Sequence, residues 1–169
     1  PLLTWLQASV FPEEARFADP THAQQVAVEF CQALASSGTT FAVVYGSVHP
    51  EASETLLNTM DAAGLRGRVG PVLMDTGCPD ALKLPAERAI PALEGLAERW
   101  HLYDSGRLGV AVIPRFALSC SDELLRAAAD VADRLKLPVT THLAETVAEC
   151  QAVRDRFGTD YLSVYADCG

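Results

Sequence analysis

Apolar residues recur at two spacings along this chain, and the alternation between them repeats four times. From Asp19 to Gly38 the spacing is helical: Asp19 is placed to cap, Pro20 stands at the first helical position, and Val26, Phe30 and Leu34 share a stripe before Gly38 ends the run. TTFAVVY at 39–45 follows at once and reads as a strand. After GSVHPE a helix is predicted over about 51–63, with Leu56, Leu57 and Met60 as its stripe and Gly64 beyond its end. GRVGPVLM at 67–74 is the next strand-like run. The loop DTGCPD then leads to a predicted helix near 86–100, the strand RLGVAVIPRF at 107–116 and a helix from Ser121 to Lys136. The strand PVTTHL at 138–143 and a last helix near 146–157 complete four strand-then-helix units.

Strands that read as continuous apolar runs are buried on both faces, and alternation with helices makes the crossovers parallel. The fold class is therefore α/β. Strand starts about 30–40 residues apart suit an open doubly wound sheet and a (β/α)8 barrel alike. No Gly-x-Gly-x-x-Gly or Gly-x-x-x-x-Gly-Lys loop follows a strand, which removes support from the dinucleotide and phosphate-cradling open sheets. The polar residues favour a barrel, whose catalytic groups sit at the C-terminal strand ends. Here the runs end in Tyr45 and then His49, in Met74-Asp75, in Arg115-Phe116, and in His142 with Glu145 just beyond.

Composition narrows the partners. The 169 residues suffice for one core of ordinary size, with 49% hydrophobic and 21% charged residues. A net charge of -9 without any basic run argues against nucleic acid or an anionic membrane as partner. No apolar run approaches the roughly 18 residues of a membrane helix, and PLLTWLQ lacks the basic start of a signal peptide. Five scattered cysteines, none spaced Cys-x-x-Cys, suggest neither a disulfide framework nor a thiolate zinc site and suit a reducing cytoplasm. Cys31 and Cys150 read as buried-face helix residues.

His142 and Glu145 are the candidate chemistry. A neutral imidazole at a strand end can ligate a metal, and a carboxylate one short turn later can move the protons of a nearby water. Each also has a plainer reading: a structural histidine with one hydrogen bond, and a glutamate favoured by a helix dipole. Arg115 could equally be a surface ion-pair partner, and Phe116 could be core. The P-C-x-x-C half of the signature of the cysteine-rich nucleobase deaminases is absent.

PVTTHLAET, VIPRFALSCS, GTTFAVVYGSVHPE, VGPVLMD and PLLTWLQASVFPEEARFADP together resemble the guanine deaminases, zinc enzymes of the amidohydrolase superfamily. The likeness runs from the first residue through YLSVYADCG. It implies that 1–169 is a partial (β/α)8 TIM-type barrel comprising strands 2 to 5 of the full domain. His142 would be a zinc ligand, and Glu145 would shuttle protons between the attacking water and the purine. Arg115 would reach the carbonyl oxygen of guanine and Phe116 would contact its ring. His49 can look into the mouth without a ligand role, and Asp75 can cap its loop or orient neighbours. The resemblance also implies a cytoplasmic homodimer for the full-length enzyme.

The departures are as informative. The family's His-x-His pair, sixth-strand histidine and eighth-strand aspartate are not in this chain, so the segment alone is expected to lack a complete metal site. A full barrel takes about 250 residues, so four units amount to an interior half. Three readings stay open: a guanine deaminase segment, another amidohydrolase acting on a different purine or a triazine, and a metal-free α/β domain that binds a small molecule.

Overall fold

Parallel strands alternating with helices form the frame, and the computed structural model describes residues 2–169 of it. The chain enters through a helical arm: α1 (Leu2–Trp5), a π-helical turn at Leu6–Val10, α2 (Phe11–Ala15) and a 3-10 turn at Arg16–Ala18. Phe11 donates its N–H to the Leu6 carbonyl, and Pro12, with no N–H to give, follows it at the π-helical break.

α3 (Pro20–Ser36) starts as expected, with the Asp19 carboxylate accepting the Thr21 N–H at 2.9 Å. Its most buried stripe is Ala23, Ala27 and Cys31, small side chains that let it lie close along α4 (Pro50–Ala62). Val26, Phe30 and Leu34 are half-buried beside that stripe.

β1 (Ala42–Tyr45), β2 (Gly67–Gly70) and β4 (Leu108–Val110) pair in parallel in the order β1-β2-β4. The sheet continues as β3 (Val72–Leu73) beside β5 (Ile113–Pro114). Each of the two central predicted strands is thus split, and on the first of them Pro71 falls at the break because it cannot donate to a ladder. Gly70 is required where the chains close up: a Cβ there would lie 2.0 Å from the Ala111 carbonyl oxygen.

The predicted strand at 138–143 is corrected to a single parallel bridge between Val112 and Val139. Thr140 and His142 donate their N–H groups to the Val112 and Arg115 carbonyls, so the segment is extended and paired on one side. Its outer side has no partner among the described residues, and Val139 is 56% exposed.

α5 (Ala86–Trp100), the short turn α6 (Tyr103–Gly106), α7 (Asp122–Leu135), α8 (Val147–Phe157) and α9 (Tyr161–Ala166) complete the chain. Side chains alternate between two cores. Val69, Leu73, Leu108, Val110 and Val112 face the helix layer, where Leu57, Leu93 and Leu124 are fully buried. Val72, Ala111 and Ile113 face the other way and meet Leu6, Phe11 and Phe116. Burial on both faces is the reason these strands read as unbroken apolar runs. No helix among the described residues is long and apolar enough to cross a membrane.

Candidate functional site

Residues from two strand ends and the entering arm close around a hollow of about 270 Å³. Arg115, Phe116, His142 and Glu145, the four residues singled out from the sequence, all line it, together with Leu6, Val10 and Glu149. A larger hollow of about 560 Å³ shares Arg115 and His142 and extends between the arm, α3 and β1.

Backbone pairing sets the spacing. Arg115 donates its N–H to the Leu73 carbonyl at 3.1 Å, and its own carbonyl accepts from His142 N–H at 3.3 Å. The Arg115 carbonyl also lies 3.3 Å from Nδ1 of His142. A carbonyl can only accept, so Nδ1 carries the proton and the Nε2 lone pair is left for another partner. The imidazole stands edge-on to Tyr45, with ring centroids 4.8 Å apart, and Tyr45 Oη sits 3.3 Å from Thr140 Oγ1. The first strand end and the last meet in this way across the curved face.

Arg115 is largely enclosed, with a side chain 12% exposed. It is ion-paired to Glu14 of α2 and lies over the Phe11 ring at 5.1 Å. Phe116 is 7% exposed, and its backbone is held by Ser119, whose Oγ accepts its N–H at 3.2 Å.

Between His142 and Glu145, Ala144 takes a left-handed conformation with φ 54°. Such a conformation costs a β-carbon-bearing residue roughly 1–2 kcal/mol, and buried Glu149 offsets it. One Glu149 oxygen accepts the N–H groups of Glu145 at 3.1 Å and Thr146 at 3.3 Å, and the other accepts the Tyr161 hydroxyl. Burial, then the bond to Glu149, pushes the Tyr161 phenol up, so it remains a donor. Burial likewise pushes the Cys78 thiol up to about 11 and the Cys120 thiol up to about 12. Neither is a thiolate nucleophile near neutral pH.

Asp75 is turned to the Ser121 N-cap of α7, accepting from Ser121 N–H at 2.7 Å and from its hydroxyl. His49 lines a separate hollow with Glu51, Asp80 and Arg88. The sequence reading did not single out Glu14, Phe11 or Glu149. Thr146-x-x-Glu149 carries the capping-box spacing that marks the last of these, whereas no local pattern reveals Glu14.

The donor set decides what the chain can hold. Among the described residues no group of three or more His, Cys, Asp or Glu side chains is placed to bind a metal ion. His142 offers one nitrogen, whereas metal sites of the zinc type use three or four protein ligands.

Comparison with known proteins places the segment. It is 39% identical to a probable guanine deaminase of Deinococcus radiodurans over 99% of this chain and 38% of that protein. It is 36% identical to the guanine deaminase of Escherichia coli over 99% of this chain and 38% of that protein. The crystal structure of the guanine deaminase from C. acetobutylicum with bound guanine superposes with a TM-score of 0.95 at 29% identity, over 99% of this chain and 40% of that one. The chain thus spans about two fifths of the length of the relatives it matches. With parallel strands alternating with helices, residues from the strand ends gathered at one mouth, and the amidohydrolase family profile matching residues 1–168, the chain belongs to the amidohydrolase family.

Proposed function

We propose that this chain is the interior part of a longer barrel enzyme that hydrolyses guanine to xanthine and ammonia with zinc in its site. The observation that carries the reading is the shared hollow: Arg115 and His142, 27 residues apart, line it with Phe116 and Glu145. Similarity to guanine deaminases along the whole chain supports the choice of substrate.

His142 fits zinc as one ligand, because Nδ1 is tied to a carbonyl and Nε2 is left free, and on this reading the longer barrel supplies the other ligands. Zinc, when bound, acidifies water enough for attack near neutral pH. Glu145, on the rim of the same hollow, takes the proton from the attacking water and returns one to a ring nitrogen. Water adds to the carbon bearing the exocyclic amine, and ammonia leaves as that carbon becomes a carbonyl. Arg115 donates to the guanine carbonyl oxygen and Phe116 walls the ring. Adenine offers an amino group where guanine offers that acceptor, so a donor would face a donor in a closed pocket.

The test is conversion of guanine to xanthine by the full-length protein, followed by absorbance and by ammonia release before and after chelation. Turnover that chelation removes and zinc restores is expected. Turnover of a different amino-heterocycle with none of guanine would overturn the reading.

A further inference from the structure

Glu14 is an unusual residue for the inside of a fold. Its side chain is 8% exposed, one of its oxygens is ion-paired to Arg115 Nη1, and the other, Oε1, has no hydrogen-bond partner among the described residues. Phe11 and Glu14 stand three apart in α2 and share a face, so one short helix offers Arg115 both a ring against its flat side and a carboxylate at its edge. Arg115 makes no other side-chain hydrogen bond among the described residues, which leaves most of its fork of donors free beside the hollow.

We propose that Glu14 is a positioning residue for purine selectivity: with Phe11 it fixes the guanidinium of Arg115 so that its free N–H groups meet the carbonyl oxygen of an oxo-purine. The proposal rests on the guanine reading above. A guanidinium on a long stem samples many rotamers, and ordering it only when substrate arrives weakens binding; a buried carboxylate from a separate element orders it beforehand. The same carboxylate compensates a charge that would otherwise stand alone in a closed environment. The arm therefore carries part of the substrate recognition, although none of its residues need reach the reacting carbon.

The experiment compares guanine with 2-aminopurine, which keeps the exocyclic amine and lacks the carbonyl oxygen, in the full-length enzyme. Glu14→Gln is expected to raise KM for guanine roughly tenfold while kcat and the KM for 2-aminopurine change less than about threefold. Guanine binding to the metal-free variant, followed by calorimetry, should weaken by the same factor. Glu14→Asp keeps the charge on a shorter stem; it is expected midway and carries the comparison if the glutamine variant does not fold. Equal rises in KM for both bases, or an unchanged guanine KM in either variant, would overturn the proposal. Arg115→Ala separates the two levels. If it erases the preference for guanine while Glu14→Gln leaves it intact, only the positioning role falls. If neither variant alters the preference, the reading of Arg115 falls with it.

Discussion

Asp75 and Arg115 leave neighbouring strand ends, yet only Arg115 lines the hollow. Both carboxylate oxygens of Asp75 are spent on Ser121, whose hydroxyl in turn accepts the Leu124 N–H at 3.1 Å and caps α7. Asp75→Ala leaves a half-buried N–H and a hydroxyl unpaired, which costs about 1–3 kcal/mol and lowers the melting temperature by several degrees. Calorimetric melting checks the loss, and the KM for guanine should stay unchanged; a guanine-specific KM effect would move Asp75 into the binding machinery. Arg115, His142 and Glu145 stood out as candidates because a charged or titratable group closing an apolar run has little reason to be there in a packed core, whereas Phe116 could equally be core and was marked by the family resemblance. Glu14 did not stand out, since its partner is 101 residues away and an acidic residue in the first turn of a helix already has a sufficient local explanation.

At the scale of elements, helices announced themselves and strand limits did not. Asp19-Pro20, Ser121 and Gly38 are local signals, so α3 and α7 begin and end within a residue or two of expectation. Strand extent depends on neighbours: Pro71 breaks one run, and the 138–143 segment pairs only with Val112 and Arg115 on one side. The contact between α4 and α5 includes one pH-sensitive tie. Arg99 donates to both oxygens of Glu54, at 2.6 and 3.1 Å, and Trp100 Nε1 reaches the same carboxylate at 3.4 Å. The Arg99 bond holds the Glu54 carboxyl below its usual range against an opposing effect of burial. A depressed folded-state value means the tie contributes fully above the ordinary glutamate range near 4.3, and that contribution is lost as pH falls through the lowered value. For a pair this open to solvent the contribution is below about 1 kcal/mol. Wild-type protein should thus melt slightly above Glu54→Gln at pH 7, with the gap narrowing as pH falls below the ordinary glutamate range; a gap that widens in acid would contradict the assignment.

For the molecule as a whole, curvature matters more than any single element. The Tyr45 and His142 rings meet at 4.8 Å although β1 and the bridged 138–143 segment stand at opposite sides of the sheet, so these ends converge instead of fanning out. The exposed Val43 and Val139 mark the two outer strands of this arc, where further strands of a longer barrel have room to pair. An arc of this kind brings the His142 imidazole, the Glu145 carboxylate and the Arg115 guanidinium to one hollow, and the proposed chemistry rests on that grouping. The parallel α/β class followed from the alternation of periods; the partial barrel was read instead from the polar residues at the strand ends and from the family resemblance, because curvature itself arises from twist and packing that periodicity does not display. The most direct measurement is metal content alongside guanine turnover in full-length Glu145→Gln. The account predicts zinc retained at the wild-type level with conversion to xanthine abolished, since the amide keeps the shape and cannot carry the proton. Wild-type turnover in that variant would contradict it.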